Sequence, residues 1–467
     1  MTDQIPTFAV VGHPNKGKSS IVATLAEDDR VDISPLPGTT RTAQRHVLRI
    51  DDEALYVLVD TPGFQRPGEL LNWLRSAGRN ANDRPTAIRE FVEQHHEDPR
   101  FADECELLQP LIDGAGILYV VDGAKPFGPE YELEMEILRW TGQPRMALIN
   151  MIGEGNHQDE WRRALDQYFS IVRVFDALHA DFDKRIALLR AFAELDEHWR
   201  ARLETAILAL QNERRHRRRR SAALIAGMLI EAMTLVERAP LASDETPEPL
   251  KSRLVAQLRS RISDSERTAQ QRVKEIYRHA SVATENAVAE ILDTDLFTGE
   301  SWQVFGLSRN QLAITGALSG AAAGGGIDLA LGGASLLLGA GVGALIGGTS
   351  AWLATGELAR VKIEGESLGN RVLQVGPVQA QNFPWVLLGR NWLHHHLIAE
   401  RNHAARAAVV LAVESDSNLA GAIPVELRRD LARSFAAISK GDADFDELSA
   451  QLDRLLTLSP TSLLAAD

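Results

Sequence analysis

The chain has 467 residues, enough for two to four domains. Its net charge of −14 argues against a dedicated nucleic-acid binder, whose footprint is usually basic. One cysteine, Cys105, excludes an intrachain disulfide and points to a reducing compartment.

The N-terminus, Met-Thr-Asp-Gln-Ile-Pro, shows no basic region followed by an apolar stretch, so a cleaved signal peptide is not expected. Over residues 1–180, apolar runs at Phe8–Val11, Arg45–Ile50, Leu55–Val59, Ile117–Val121, Met146–Ile149 and Ile171–Phe175 read as strands. Helical patterns lie between most of them. The expected class is α/β, a mostly parallel sheet covered on both faces with ligands at the strand C-termini.

Between the first run and the helical Ile21–Leu25 lies Gly12-His-Pro-Asn-Lys-Gly-Lys-Ser19, a Gly-x-x-x-x-Gly-Lys-Ser loop. Backbone N–H groups of Asn15, Lys16, Gly17, Lys18, Ser19 and Ser20 would point at phosphates. Lys18 would reach the β- and γ-phosphates, and the Ser19 hydroxyl would hold Mg²⁺. Pro37-Gly-Thr-Thr-Arg41 precedes the second strand and Asp60-Thr-Pro-Gly63 ends the third. A threonine on a mobile loop can close on Mg²⁺ and the γ-phosphate and release after hydrolysis. Asp60 would hold the metal shell, and the Gly63 N–H can meet the γ-phosphate.

These three motifs resemble those of the Era/TrmE-like GTPases over roughly the first 180 residues. The resemblance implies a P-loop GTPase fold, GTP hydrolysis to GDP and phosphate, Mg²⁺, and nucleotide-driven switching. It makes Thr40 the Mg²⁺ threonine, with Thr39 the alternative, and matches Asn15 to an asparagine that in some members helps coordinate K⁺. Two departures stand out. The family's Asn-Lys-x-Asp is here Asn150-Met151-Ile152-Gly153, so the guanine-pairing aspartate is absent; Glu154 is a weak substitute. Asp176-Ala177 reads as the remnant of the second base-contacting loop. Phe64 stands where other GTPases carry a water-orienting glutamine, so slow basal turnover is expected unless Gln65, a cation or a partner completes the site. Phe64 also suits a core position.

The segment from Phe64 to Leu111 is long for a switch region, with helical patterns at Arg84–His96 and Phe101–Leu111; it is either a partner surface or a packed decoration. Residues 181–300 read as a helical stalk or bundle, with long helices over Asp183–Glu237 and about Leu250–Leu292. The second carries a seam of Ala269, Val273, Ile276, Ala280, Ala283 and Ala287. The first contains six arginines between Arg214 and Arg220, followed by the apolar Ala222–Ile230. Such a pair suits an anionic membrane surface, an RNA, or a solvated helix face paired with acids.

Residues 301–356 contain a glycine-rich apolar stretch. From Leu312 to Gly356 the one charge is Asp328, and glycines recur every fourth residue at 316, 320, 324 and at 339, 343, 347. Glycine costs about 1 kcal/mol against alanine in an exposed helix. Small residues at this spacing let helices approach closely in a bilayer. A membrane hairpin and a buried soluble hairpin are the two readings, the first favoured.

In residues 357–467, Val361–Ile363, Val372–Val375 and Trp385–Leu388 read as strands. Asn391–Val413, Pro424–Ser439 and Phe445–Leu458 read as helices. His394-His395-His396 is a poor metal site, because consecutive helical residues point apart. Taken whole, the chain is similar to bacterial GTPases that join an Era-like domain to a helical, membrane-associated C-terminal domain of unknown function. Phe383-Pro-Trp-Val-Leu-Leu388 and the histidine triplet carry that likeness. The expected partners are membrane lipid or a membrane protein, with pairing of two GTPase domains as a further option; nucleic acid is not expected. The expected location is cytoplasmic, attached to the inner membrane through residues 312–356. A soluble ribosome- or RNA-linked GTPase and a nucleotide-binding scaffold with little turnover are the competing readings.

Overall fold

The computed structural model describes residues 5–27, 42–77, 80–242, 246–279, 296–297, 301, 304–307, 311, 359–364, 371–403 and 419–460. Thr39, Thr40 and the glycine-rich segment 312–356 lie outside the described residues. The chain divides into two compact units. One comprises Met1–Arg214 with Glu400–Arg406, the other Arg215–Ala399 with Ala407–Asp467.

In the first unit the described strands are β1 (Thr7–Val11), β2 (Gln44–Ile50), β3 (Glu53–Asp60), β4 (Gly116–Asp122), β5 (Arg145–Asn150) and β6 (Ile171–Val174). They form one sheet in the order β2-β3-β1-β4-β5-β6. All neighbours are parallel except the edge strand β2, which runs antiparallel to β3. The period of two along β1 sorts its side chains to two cores. Phe8 and Val10 join Ile21, Leu25, Leu58 and Phe192; Ala9 and Val11 join Phe64, Leu108, Tyr119 and Leu138. Burial on both faces explains why the inner strands β1, β3, β4 and β5 read as apolar runs, while the edge strands β2 and β6 keep exposed residues.

The helices are α1 (Lys18–Ala26), α2 (Pro67–Ser76), α3 (Arg84–His95), α4 (Ala102–Ile112), α5 (Glu130–Trp140), α6 (Gln158–Leu165) and α7 (Phe182–Ala193). The uninterrupted helix expected from Asp183 is in fact two. α7 ends before Glu194, and α8 (Glu197–Thr234) starts after Asp196, whose carboxylate accepts from the His198 N–H at 2.9 Å. An aspartate able to cap a new first turn made the break, in a stretch free of proline and glycine.

In the second unit, α8 from Arg215, β7 (Glu237–Leu241), α9 (Pro247–Ile276), β8 (Ala359–Glu364), β9 (Arg371–Val378), α10 (Phe383–Ala399), α11 (Val425–Ser439) and α12 (Phe445–Leu455) surround a separate core. The antiparallel sheet is ordered β7-β9-β8, and Pro240 sits on its edge strand, where a missing N–H is tolerated. α9 buries Leu250, Leu254, Leu258, Ile262, Glu266, Ala269 and Val273, one stripe at helical spacing. Ala269 and Val273 of the expected alanine seam lie on it; Ala280, Ala283 and Ala287 are outside the described residues.

Trp385–Leu388, expected as a strand, is the first turn and a half of α10. The run is wholly buried, so its hydropathy carries no period to separate strand from helix. Pro384 fits a helix start, where its missing N–H costs nothing. The arginine run forms no single exposed face. Arg217 is buried, Arg214 pairs with Glu400 at 2.6 Å, and Arg218 and Arg219 share Asp453. The adjoining Ala222, Ile225, Ala226, Met228 and Leu229 are core residues, so this run offers no apolar face to lipid. Among the described residues no helix is long and apolar enough to cross a membrane.

Candidate functional site

The parallel register brings the C-terminal ends of β1, β3, β4 and β5 to one edge of the sheet, and the motif residues follow directly from them. The loop after β1 turns on two glycines with left-handed backbone. At Gly12 (φ +142°) a Cβ would collide with the Val120 carbonyl. At Gly17 (φ +80°), the cap of α1, it would collide with the Asn150 amide. Asn15 takes φ +60° at the exposed tip.

Lys18 is buried at the start of α1, and its Nζ donates to the carbonyls of Gly12 (3.1 Å) and His13 (3.2 Å). Burial lowers its pKa below the usual lysine range, while Asp60 and Glu134 act in the opposite direction. Ser19 Oγ donates to Asp60 Oδ2 at 2.7 Å. A hydroxyl and a carboxylate side by side at a phosphate loop are the hard oxygen donors that Mg²⁺ takes. Two of the three expected metal-shell residues are therefore adjacent; the third, Thr40, is outside the described residues. Gly63 packs tightly on the phosphate loop, where a Cβ would come 2.6 Å from Pro14 N.

Phe64 is fully buried in the core and presents no side chain to a phosphate. The chain beyond it is tethered from α4. Buried Glu104 accepts from the N–H groups of Gln65 (2.8 Å) and Arg66 (2.5 Å) through Oε1. Two residues on, Glu106 accepts from Ala43 N at 3.0 Å. One helix of the long insertion thus holds the exit of Asp60–Gly63 and the residue two positions past Arg41.

Among the residues expected to contact a base, Asn150 bridges two loops: Nδ2 donates to Lys16 O and Oδ1 accepts from Ala177 N, both at 3.1 Å. Asp176 spends its carboxylate locally. Oδ1 accepts from Leu178 N and His179 N, and Oδ2 meets His179 Nδ1 at 2.8 Å. Ser20 carries the α1 turn toward Thr24, whose hydroxyl lies 2.8 Å from its carbonyl. Lys16 is buried 4.0 Å from Asp122, with its Nζ 5.3 Å from the Tyr131 ring centre.

The residues that sequence reasoning missed are Glu104, Glu106 and Glu134. Glu134 meets His13 Nδ1 at 2.9 Å and accepts from Tyr119 OH at 2.8 Å. Burial and this carboxylate hold the Tyr119 hydroxyl well above its usual pKa. These glutamates lie on helices far from the motifs in sequence. The one signal was their position on otherwise apolar helix faces, as with Glu104 between Phe101 and Leu107–Leu108.

The histidine triplet brings no ligands together: His395 Nε2 meets Tyr277 OH at 2.9 Å, and His396 Nε2 faces Ser459 Oγ at 3.4 Å.

Comparison with known proteins fits this geometry. Residues 7–151 match a family described as "50S ribosome-binding GTPase". Residues 162–456, well over half of the chain, match a family described as "Domain of unknown function (DUF3482)". The chain belongs to this DUF3482 family. Its N-terminal part has a P-loop GTPase fold and carries the match to the GTPase family above. The GTPase Der of Xanthomonas campestris pv. campestris is 30% identical over 179 residues, 38% of this chain and 32% of that protein. The GTPase Der of Agathobacter rectalis is 41% identical over 68 residues, 15% of each. The chain thus spans no more than a third of the length of these relatives. Two solved structures are similar. Era with MgGDPNP and nucleotides 1506–1542 of 16S ribosomal RNA shows 21% identity, covering 41% of this chain and 57% of that one, with TM-score 0.30. A single-residue variant of Aquifex aeolicus Era, bound to GDP and AlF4⁻, shows 18% identity, covering 58% and 89%, also with TM-score 0.30.

Proposed function

We propose that this DUF3482 protein binds GTP and hydrolyses it to GDP and phosphate, switching the loops at 37–41 and 60–63 as it does so. The observation that carries the reading is Ser19 joined to Asp60 at 2.7 Å beside the loop closed by Lys18. Lys18 would exchange its two carbonyl acceptors for β- and γ-phosphate oxygens, and the Gly63 N–H would hold the γ-phosphate. Ser19 and Asp60, with Thr40, would hold Mg²⁺, which when bound neutralises charge developing on the phosphates. Asn15, at the loop tip, would be the residue that helps coordinate K⁺. With Phe64 in the core, no side chain at that position orients water, so turnover without a partner should be slow, on the order of 10⁻³ s⁻¹ or less.

Phosphate release by purified protein tests this. Lys18→Ala should lose it by at least about a hundredfold, as expected for removal of a charged transition-state contact. Tight nucleotide binding with no release in wild type would replace the enzyme with a nucleotide-binding scaffold. We further propose association with the inner membrane through residues 312–356, supported by their near absence of charge. The description of the matched GTPase family favours a second reading, a ribosomal partner. Co-sedimentation with ribosomal particles in either nucleotide state would establish that reading.

A further inference from the structure

Residues Glu400–Arg406 belong to the first unit, although the chain on both sides of them belongs to the second. Within this excursion Asn402 is 8% exposed and uses both ends of its amide. Its Nδ2 donates to Ala180 O at 3.0 Å, and its Oδ1 accepts from Thr24 Oγ1 at 2.7 Å. The same hydroxyl lies 2.9 Å from Ala177 O and 2.8 Å from Ser20 O, so one hydrogen is shared among three oxygens. The loop 177–180 is therefore pinned at Ala177 by Asn150 and at Ala180 by Asn402. Its anchor, Thr24, is on α1, the helix that starts with Lys18 and Ser19.

We infer that Asn402 is a positioning residue for nucleotide binding, fixing the loop that lies against the base relative to the phosphate-binding helix. The inference rests on the nucleotide reading above. Position 153, which would carry a base-clamping carboxylate, is glycine, so the order of loop 177–180 matters more here. A loop ordered before binding spares the entropy of ordering it afterwards. The amide is required because one side chain must donate to a carbonyl and accept from a hydroxyl. Alanine offers neither group, and aspartate lacks the donor. Residue 402 falls within the stretch matched by the family of unknown function, so that domain contributes to the nucleotide site of its own chain.

The test uses the full-length protein and titration of fluorescent GDP, with pyrophosphate as a competitor that has no base. Asn402→Ala and Asn402→Asp should weaken GDP by about tenfold while pyrophosphate stays within about twofold, the size of one or two hydrogen bonds. Thr24→Val should do the same, and the double variant should be no weaker than the weaker single one. A folded Asn402→Ala with wild-type GDP affinity overturns the inference and leaves the nucleotide reading standing. Equal losses for GDP and pyrophosphate also overturn it, since they mark a general fold defect. Wild-type protein that binds no nucleotide sinks both. Should Asn402→Ala fail to fold, Asn402→Asp and the near-isosteric Thr24→Val decide.

Discussion

Gly153 follows Asn150 by three positions, and a Cβ built there meets only Ala124 Cβ at 3.6 Å, an ordinary contact. An aspartate can therefore be restored. Its carboxylate would accept from the N1–H and the 2-amino group of guanine, and inosine lacks the latter. Gly153→Asp should raise the preference for GTP over ITP by about tenfold, the size of one charge-assisted hydrogen bond. Competition binding measures it; an unchanged ratio would mean that position 153 does not face the base.

A second residue-scale effect concerns His394. Burial, with Lys274 and His395 adding to it, lowers its pKa to about 3, so the ring stays neutral in the fold. The unfolded chain takes up that proton near pH 6.5, so it binds more protons than the folded chain from there down to about pH 3. Stability contributed by this residue is complete above pH 6.5 and falls below it, by at most about 1.4 kcal/mol per pH unit. Thermal melting between pH 7 and 4 should be less steep in His394→Leu than in wild type. Identical slopes would show that His394 does not titrate on unfolding. The motif residues at this scale were legible because phosphate chemistry dictates type and spacing together. Glu104 and Glu134 were marked only by their place on apolar helix faces, and Asn402 by nothing local, since the partner of each is distant in sequence.

Among the elements, α4 has the most to test. Glu104→Ala leaves the N–H groups of Gln65 and Arg66 without their acceptor, costing about 1–3 kcal/mol of stability. It also frees the exit of the Asp60–Gly63 loop, so phosphate release should fall more than GDP affinity does. Denaturant midpoints and single-turnover phosphate release separate the two effects. Equal loss in both would assign Glu104 to the fold alone. The elements themselves were read unevenly, for a physical reason. Strands β1, β3, β4 and β5, buried on both faces over most of their length, gave apolar runs of strand length bounded by turn residues, whereas β2 and β6 at the edges keep exposed positions; the six predicted strands match to within about two residues. Trp385–Leu388 gave the same kind of run inside a helix, because α10 is buried all round and has no polar face to reveal its period. β7 was missed: the expected helix ended at Glu237 and the stretch around Pro240 read as a break, because Glu-Arg-Ala-Pro-Leu shows no hydropathy alternation to mark a strand.

For the whole molecule, the two units have separate cores, two on the faces of the first unit's sheet and a main one in the second, so the proposed membrane segment and the nucleotide site fall in different units. Leu312 to Gly356 lies outside the described residues and carries one charge. The apolar stretch beside the arginine run offers no anchor in its place, because Ala222, Ile225, Ala226, Met228 and Leu229 are core residues, and Arg214, Arg218 and Arg219 pair with Glu400 and Asp453. The proposed membrane binding therefore falls to 312–356. Flotation of full-length protein with lipid vesicles should show association, and deletion of 312–356 should abolish it while GDP binding remains. Gly320→Leu and Gly343→Leu keep the segment apolar and should retain flotation while loosening close helix contacts. Gly343→Arg should weaken it, by about 2.5–3.5 kcal/mol if the residue sits near the bilayer centre. Wild-type protein that stays with the aqueous fraction in both nucleotide states would leave these residues as a buried soluble hairpin, in which leucine at 320 or 343 should disrupt folding.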